Sequence, residues 1–146
     1  MKRTAQAVWS GGLKDGNGAI SLQSGVLKDS PYTFKARFED ESGKSATNPE
    51  ELIAGAHASC FTMQLSFFLA EAGHPAAKLT TTSEVTVGPV EGQGNTISKS
   101  ALTLRGDVPG MDEAQFLELA NKAKASCPVS RALGAIEITL DAKLGS

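Results

Sequence analysis

The sequence predicts an α+β fold, with mostly antiparallel sheets around one long buried helix. Three observations predict it. Tyr32 to Phe38, Leu79 to Val87 and Ile136 to Leu144 alternate apolar and polar residues with period two, the pattern of strands with one face in a core. Between the first two runs, Asn48 to Gly73 carries a helix start, a long apolar body and a helix stop. The short loops elsewhere favour antiparallel neighbours. At 146 residues the chain fits a single domain, residues 1–146, that can bury a real core.

The elements follow in order. Ala7-Val8-Trp9 leads into Ser10 to Gly18, a glycine-rich turn. No Lys-Ser or Lys-Thr follows those glycines, so no P-loop is expected. Ile20 to Leu27 reads as a second strand. In the third, Tyr32, Phe34, Ala36 and Phe38 share one face, and Lys35 and Arg37 lie on the other. Asp40 to Ala46 is a polar loop. Asn48 suits an N-cap, Pro49 the first helical position, and Glu51 the third position of a capping box. The helix should run to about Ala72 and stop at Gly73. Leu52, Ala56, Cys60, Met63 and Phe67 make one apolar stripe, and Phe61, Leu65, Phe68 and Ala72 a second. A helix apolar nearly all round is buried, by its own domain or by a partner chain.

Leu79 to Val87 and Thr96 to Arg105 make two more strands, joined through Gly88 to Asn95. Asp112 caps a second helix, with Gln115 at the matching position and Phe116, Leu119, Ala120 and Ala123 inward. Pro128 interrupts it beside Cys127, and a short turn of helix from Val129 to Leu133 precedes the closing strand.

Composition excludes several functions. The formal charge of −2 is not that of a nucleic-acid binder. Met1-Lys2-Arg3 is not followed by the apolar run of a signal peptide. His57, Ser59, Thr62, Gln64 and Ser66 make the longest apolar stretch too polar for a membrane span. The expected compartment is the cytoplasm, where a stable structural disulfide is uncommon.

Chemistry centres on the two cysteines, Cys60 and Cys127, 67 positions apart. They admit three readings: two packed core residues, a structural disulfide, or a reactive pair. A thiol in mid-helix apolar surroundings has a raised pKa and needs a cation to ionise. Cys127 stands at the edge of the short helical turn, where the dipole favours a thiolate. His57 precedes Cys60 by three residues on one helical face, so a Cys–His nucleophile pair is open, as is a satisfied buried histidine. The spacing of His57, Cys60, His74 and Cys127 fits no familiar zinc pattern, and no metal or other cofactor is expected. Arg37 is either a solvated surface cation or a two-pronged donor able to hold a thiolate and a peroxide oxygen. Glu50 suits the helix N-terminus and is also free to pair with an arginine.

Asn48-Pro49-Glu50-Glu51-Leu52, Ala56-His57-Ala58-Ser59-Cys60-Phe61 and Lys122-Ala123-Lys124-Ala125-Ser126-Cys127-Pro128-Val129-Ser130 together resemble the OsmC/Ohr family, osmotically inducible and organic-hydroperoxide-resistance proteins. Ser24 to Leu27 and the closing strand extend the resemblance over nearly the whole chain, and the OsmC branch is the nearer. The resemblance implies an intertwined homodimer and a thiol-dependent peroxidase that reduces organic hydroperoxides. It makes Cys60 the attacking thiolate and Cys127 the resolving thiol. It also makes Glu50 the carboxylate that orients an arginine. In the Ohr branch that arginine lies in the first loop, but Ser10 to Gly18 has none. In the OsmC branch it belongs to an Arg-Phe-Glu run, which assigns Arg37 of Arg37-Phe38-Glu39. The implied partners are the hydroperoxide, an external dithiol such as a dihydrolipoyl protein, and a second copy of the chain.

Ten residues of one straight helix place Glu50 and Cys60 roughly 15 Å apart. The expected arrangement is therefore two sites per dimer, each drawing on both chains. The competing reading is a dimeric binding module for a small hydrophobic ligand with merely packed cysteines. A metal or Cys–His hydrolase site is a third.

Overall fold

A computed structural model describes residues 1–145. The chain divides into two compact units, Met1–Leu52 and Ile53–Ser146.

The first unit holds an antiparallel sheet of three strands in the order β1-β2-β3: β1 (Ala5–Ser10), β2 (Asn17–Leu22) and β3 (Ser30–Tyr32). Gly18 pairs with Trp9 on one side and Tyr32 on the other. A Cβ there would meet the Tyr32 ring at 2.6 Å, so glycine lets this ring lie across the sheet beside Trp9, with centroids 5.4 Å apart. β2 ends sooner than its sequence suggests. Leu22 N–H bonds to Leu27 O, and Gly25 turns the chain at φ +75°.

The alternating run after Tyr32 is not a strand. Phe34–Phe38 is a short helix, α1. Its N-cap Thr33 accepts a hydrogen bond from Ala36 N–H at 3.0 Å. Phe34 and Phe38, four residues apart, bring their rings to 5.1 Å across one turn. So short an alternation fits both periods at these positions, and the Thr33 cap decides for the helix.

Helix α2 (Pro49–Glu71) begins as its sequence predicts, with Asn48 Oδ1 accepting from Glu51 N–H at 2.8 Å. The Glu51 carboxylate accepts from the Thr47 hydroxyl instead of closing the capping box. At the far end Gly73 adopts φ +82°. His74 N–H bonds to Leu69 O and Gly73 N–H to Ala70 O, a Schellman closure.

The second unit is built on a sheet ordered β4-β5-β6, from β4 (Lys78–Val90), β5 (Gly94–Asp107) and β6 (Glu137–Leu144). β4 and β5 form an antiparallel hairpin, and β5 and β6 run parallel. The crossover between these last two is α3 (Glu113–Ser126), capped by Asp112 Oδ1 on Gln115 N–H at 2.8 Å, and α4 (Pro128–Ala132).

Phe61, Leu65 and Leu69 of α2, Leu102 and Leu104 of β5, and Phe116, Ala120 and Ala123 of α3 form the core. Only one side of α2 is buried there, because Met63 and Phe67 remain 74% and 55% exposed. By length and composition alone α2 could cross a membrane, so its polar residues exclude less than the sequence reading supposes. Its inward stripe instead packs into the protein core, and the Ser59 and Thr62 hydroxyls bond back onto helix carbonyls.

Candidate functional site

Each unit carries one cluster of chemistry-bearing side chains. In the second unit it is built where α3 ends. Cys127 N–H closes α3 on Ala123 O at 2.8 Å, and Cys127 O receives Arg131 N–H at 3.0 Å to open α4. Pro128 enforces this corner, since it lacks the N–H that α3 would need and has the φ that a first helical position wants.

The corner places the fully buried Cys127 beside the half-buried Cys60 of α2, with the two side chains within hydrogen-bond reach and both thiols free. Val129 N–H, a donor left over in the first turn of α4, lies near enough to the Cys60 sulfur to favour its charged form. Burial pushes the Cys60 thiol up, the Val129 N–H opposes this, and the adjoining Cys127 thiol adds to the rise. This cluster alone therefore keeps Cys60 a thiol, as an apolar mid-helix site predicts.

One turn before Cys60, His57 is completely buried. Its Nδ1 stands 2.6 Å from Ser100 Oγ on β5, and its Nε2 stands 2.8 Å from Ser130 Oγ on α4. Ser100 Oγ continues to Ser83 Oγ of β4 at 3.0 Å. Burial holds the imidazole below its ordinary pKa and hence neutral. Both ring nitrogens are engaged by serines, so the Cys–His nucleophile pair that the spacing allows does not form.

The first unit holds the second cluster. Arg37 projects from α1, not from the polar face of a strand, and grips Glu50 with both prongs. Nε donates to Oε2 at 3.1 Å and Nη2 to Oε1 at 2.7 Å. Glu50 is 7% exposed, whereas the Arg37 side chain keeps about a third of its surface open. Only two of the five guanidinium donors are used on Glu50, and the carboxylate fixes the plane of the rest. Trp9, Leu13, Tyr32, Thr33, Phe34 and Phe38 join Arg37 around a cleft.

The pairs Cys60 with Cys127 and Arg37 with Glu50, singled out in the sequence, are thus each assembled by the fold. The sequence reading missed Ser83, Ser100, Ser130 and the Val129 N–H. A signal existed for one of them. Ser100 occupies an inward position of β5 in register with Leu102 and Leu104, where a polar residue calls for a buried partner. Among the described residues no three of His, Cys, Asp and Glu gather as metal ligands.

Fold and site define an α+β protein whose two distant thiols are brought side by side. Residues 41–141 match the family model described as OsmC-like protein, and the chain belongs to the OsmC family. It is 49% identical to the Peroxiredoxin OsmC of Escherichia coli (strain K12), over 100% of this chain and 99% of that one. An organic hydroperoxide resistance protein OsmC from Legionella pneumophila superposes with a TM-score of 0.74 at 25% identity, covering 98% of this chain and 97% of its own. The organic hydroperoxide resistance protein OhrB of Bacillus subtilis gives 0.73 at 28% identity, covering 96% and 98%.

Proposed function

We propose that the protein is a thiol-dependent peroxidase that reduces organic hydroperoxides in defence against oxidative stress. The observation that carries this reading is the pairing of a partly buried Cys60 with a fully buried Cys127 beside it. The less buried cysteine meets the substrate, and the fully buried one meets the oxidised product. The names borne by the relatives point the same way.

In the proposed cycle the Cys60 thiolate attacks the terminal peroxide oxygen and the O–O bond breaks. Sulfur is oxidised to a sulfenic acid, and the peroxide leaves as an alkoxide that takes a proton to become an alcohol. The Cys127 thiol then condenses with the sulfenic acid, forming the disulfide and releasing water. An external dithiol, for which we assign a dihydrolipoyl group, restores both thiols by exchange.

A cation must offset the burial that opposes Cys60 ionisation, and Arg37 held by Glu50 is our choice. We place the Arg37–Glu50 pair of one chain at the thiols of a partner chain, giving two sites per homodimer. The aromatic lining of the Arg37 cleft suits the carbon tail of an organic hydroperoxide, for which hydrogen peroxide has no counterpart. The cytoplasm is the compartment that keeps such thiols reduced.

The test is a thiol count. Reduced protein mixed with one equivalent of cumene hydroperoxide should lose both free thiols, and Cys60→Ser should lose none. Two unchanged thiols in the wild type would defeat the reading and leave a binding module with packed cysteines.

A further inference from the structure

We propose that His57 is a positioning residue that, through Ser130, holds α4 in the orientation that brings Cys127 to Cys60. The inference rests on the peroxidase reading for its place in the cycle, but its geometry stands apart from it.

His57 occupies a core position on α2, in line with Phe61, Leu65 and Leu69, which are all fully buried. An apolar side chain there would need no partners. The histidine instead commits three serines on three elements to its satisfaction: Ser83 of β4, Ser100 of β5 and Ser130 of α4. Such an arrangement contributes geometry more than stability, because hydrogen-bonded rings have fixed distances and directions where apolar contacts can slide.

That geometry bears on the thiols. Ser130 directly follows Val129, whose N–H lies near the Cys60 sulfur, and comes three residues after Cys127. His57 in turn lies one turn before Cys60. The His57–Ser130 bond therefore joins α2 to α4 one turn away from where Cys60 meets the Val129 segment. α4 is only five residues long, with Pro128, Arg131 and Ala132 exposed. A piece so short cannot fix its own rotation. The other arm of the imidazole reaches Ser100 on the central strand of the sheet, so the tether ends on a strand paired on both sides. Cutting it frees the corner that carries Cys127 to turn away after Cys60 is oxidised. Closure then slows, and a disulfide once formed is held less tightly.

Two measurements test this. The first equilibrates the protein in glutathione redox buffers and reads the effective concentration of the Cys60–Cys127 pair. It requires no peroxide chemistry, so it stays informative if the peroxidase reading fails. Ser130→Ala and His57→Phe should lower that value tenfold or more. His57→Gln, which keeps one donor and one acceptor, should recover part of the loss. Ser83→Ala, at the far end of the chain, should change it less than threefold. The second adds one equivalent of cumene hydroperoxide with dimedone present and weighs the product. Ser130→Ala should raise the share of Cys60 trapped as sulfenic acid at least tenfold, with the rate of peroxide consumption within threefold of wild type. Should His57→Phe not fold, Ser130→Ala carries the test alone. An effective concentration within twofold of wild type in folded Ser130→Ala would overturn the proposal.

Discussion

Cys60 sits in surroundings that oppose its ionisation. Burial and the neighbouring thiol outweigh the single Val129 N–H. In the proposed peroxidase the attacking thiol must be a thiolate, so the missing charge has to come from a cation, and the geometry of Arg37, the proposed source, makes it more than a generic one. Gripping both oxygens of a nearly buried Glu50 fixes the guanidinium plane and leaves donors on its outer edge. Lysine has the charge but no second prong. Arg37→Lys should therefore lower kcat/KM for cumene hydroperoxide by about 100-fold, the scale on which one preorganised donor acts, and steady-state turnover checks it. The residues proposed for this chemistry stand out in the sequence because each type is scarce or constrained. There are two cysteines, and one Arg-Phe-Glu run with a Glu beside a helix cap. Ser83 and Ser130 were not legible, since serine is common in every setting, and Ser100 was marked only by its inward place on β5. Only the fold shows that Ser100 and Ser130 bracket one imidazole and that Ser83 extends the chain from Ser100.

At the scale of elements, caps and breakers read well from the chain. Asn48, Gly73, Asp112 and Pro128 stand where their backbone chemistry is used. Alternation read less well. The run from Tyr32 to Phe38 has the period of a strand, yet the Thr33 cap and the Phe34–Phe38 contact make it a helix. That error mattered, because a strand would have left Arg37 on an open face, whereas the helix turns it onto Glu50. Packing between elements is also invisible in one sequence. Gly106 of β5 is buried under the Phe116 ring of α3, and a Cβ there would meet ring carbons at 2.5 and 2.7 Å. Phe116 is fully buried and has no room to retreat. Gly106→Ala should cost about 1–3 kcal/mol through overpacking, read as a lower urea midpoint at unchanged slope.

At the scale of the whole molecule, α2 raises the question of assembly. Its inner stripe is spent on the core of the second unit, but Met63 and Phe67 stay exposed. Large apolar side chains exposed on one helix are a feature of surfaces that meet a partner. The proposed homodimer predicts twice the monomer mass in light scattering. Met63→Glu should shift the protein toward monomer and depress peroxidase turnover with it, because each proposed site needs both chains. A monomeric wild type with full activity would contradict that arrangement. The serine–histidine chain has one more consequence, for how the sequence can change. Replacing any single member by an apolar residue strands its neighbour inside the protein, at about 1–3 kcal/mol for each orphaned polar group. Replacing all of them together removes that penalty. Ser83, Ser100, His57 and Ser130 are scattered along the chain, yet they constitute one heritable unit. Lineages should keep the whole polar thread or lose it in concert, and a descendant with half of it should be rare.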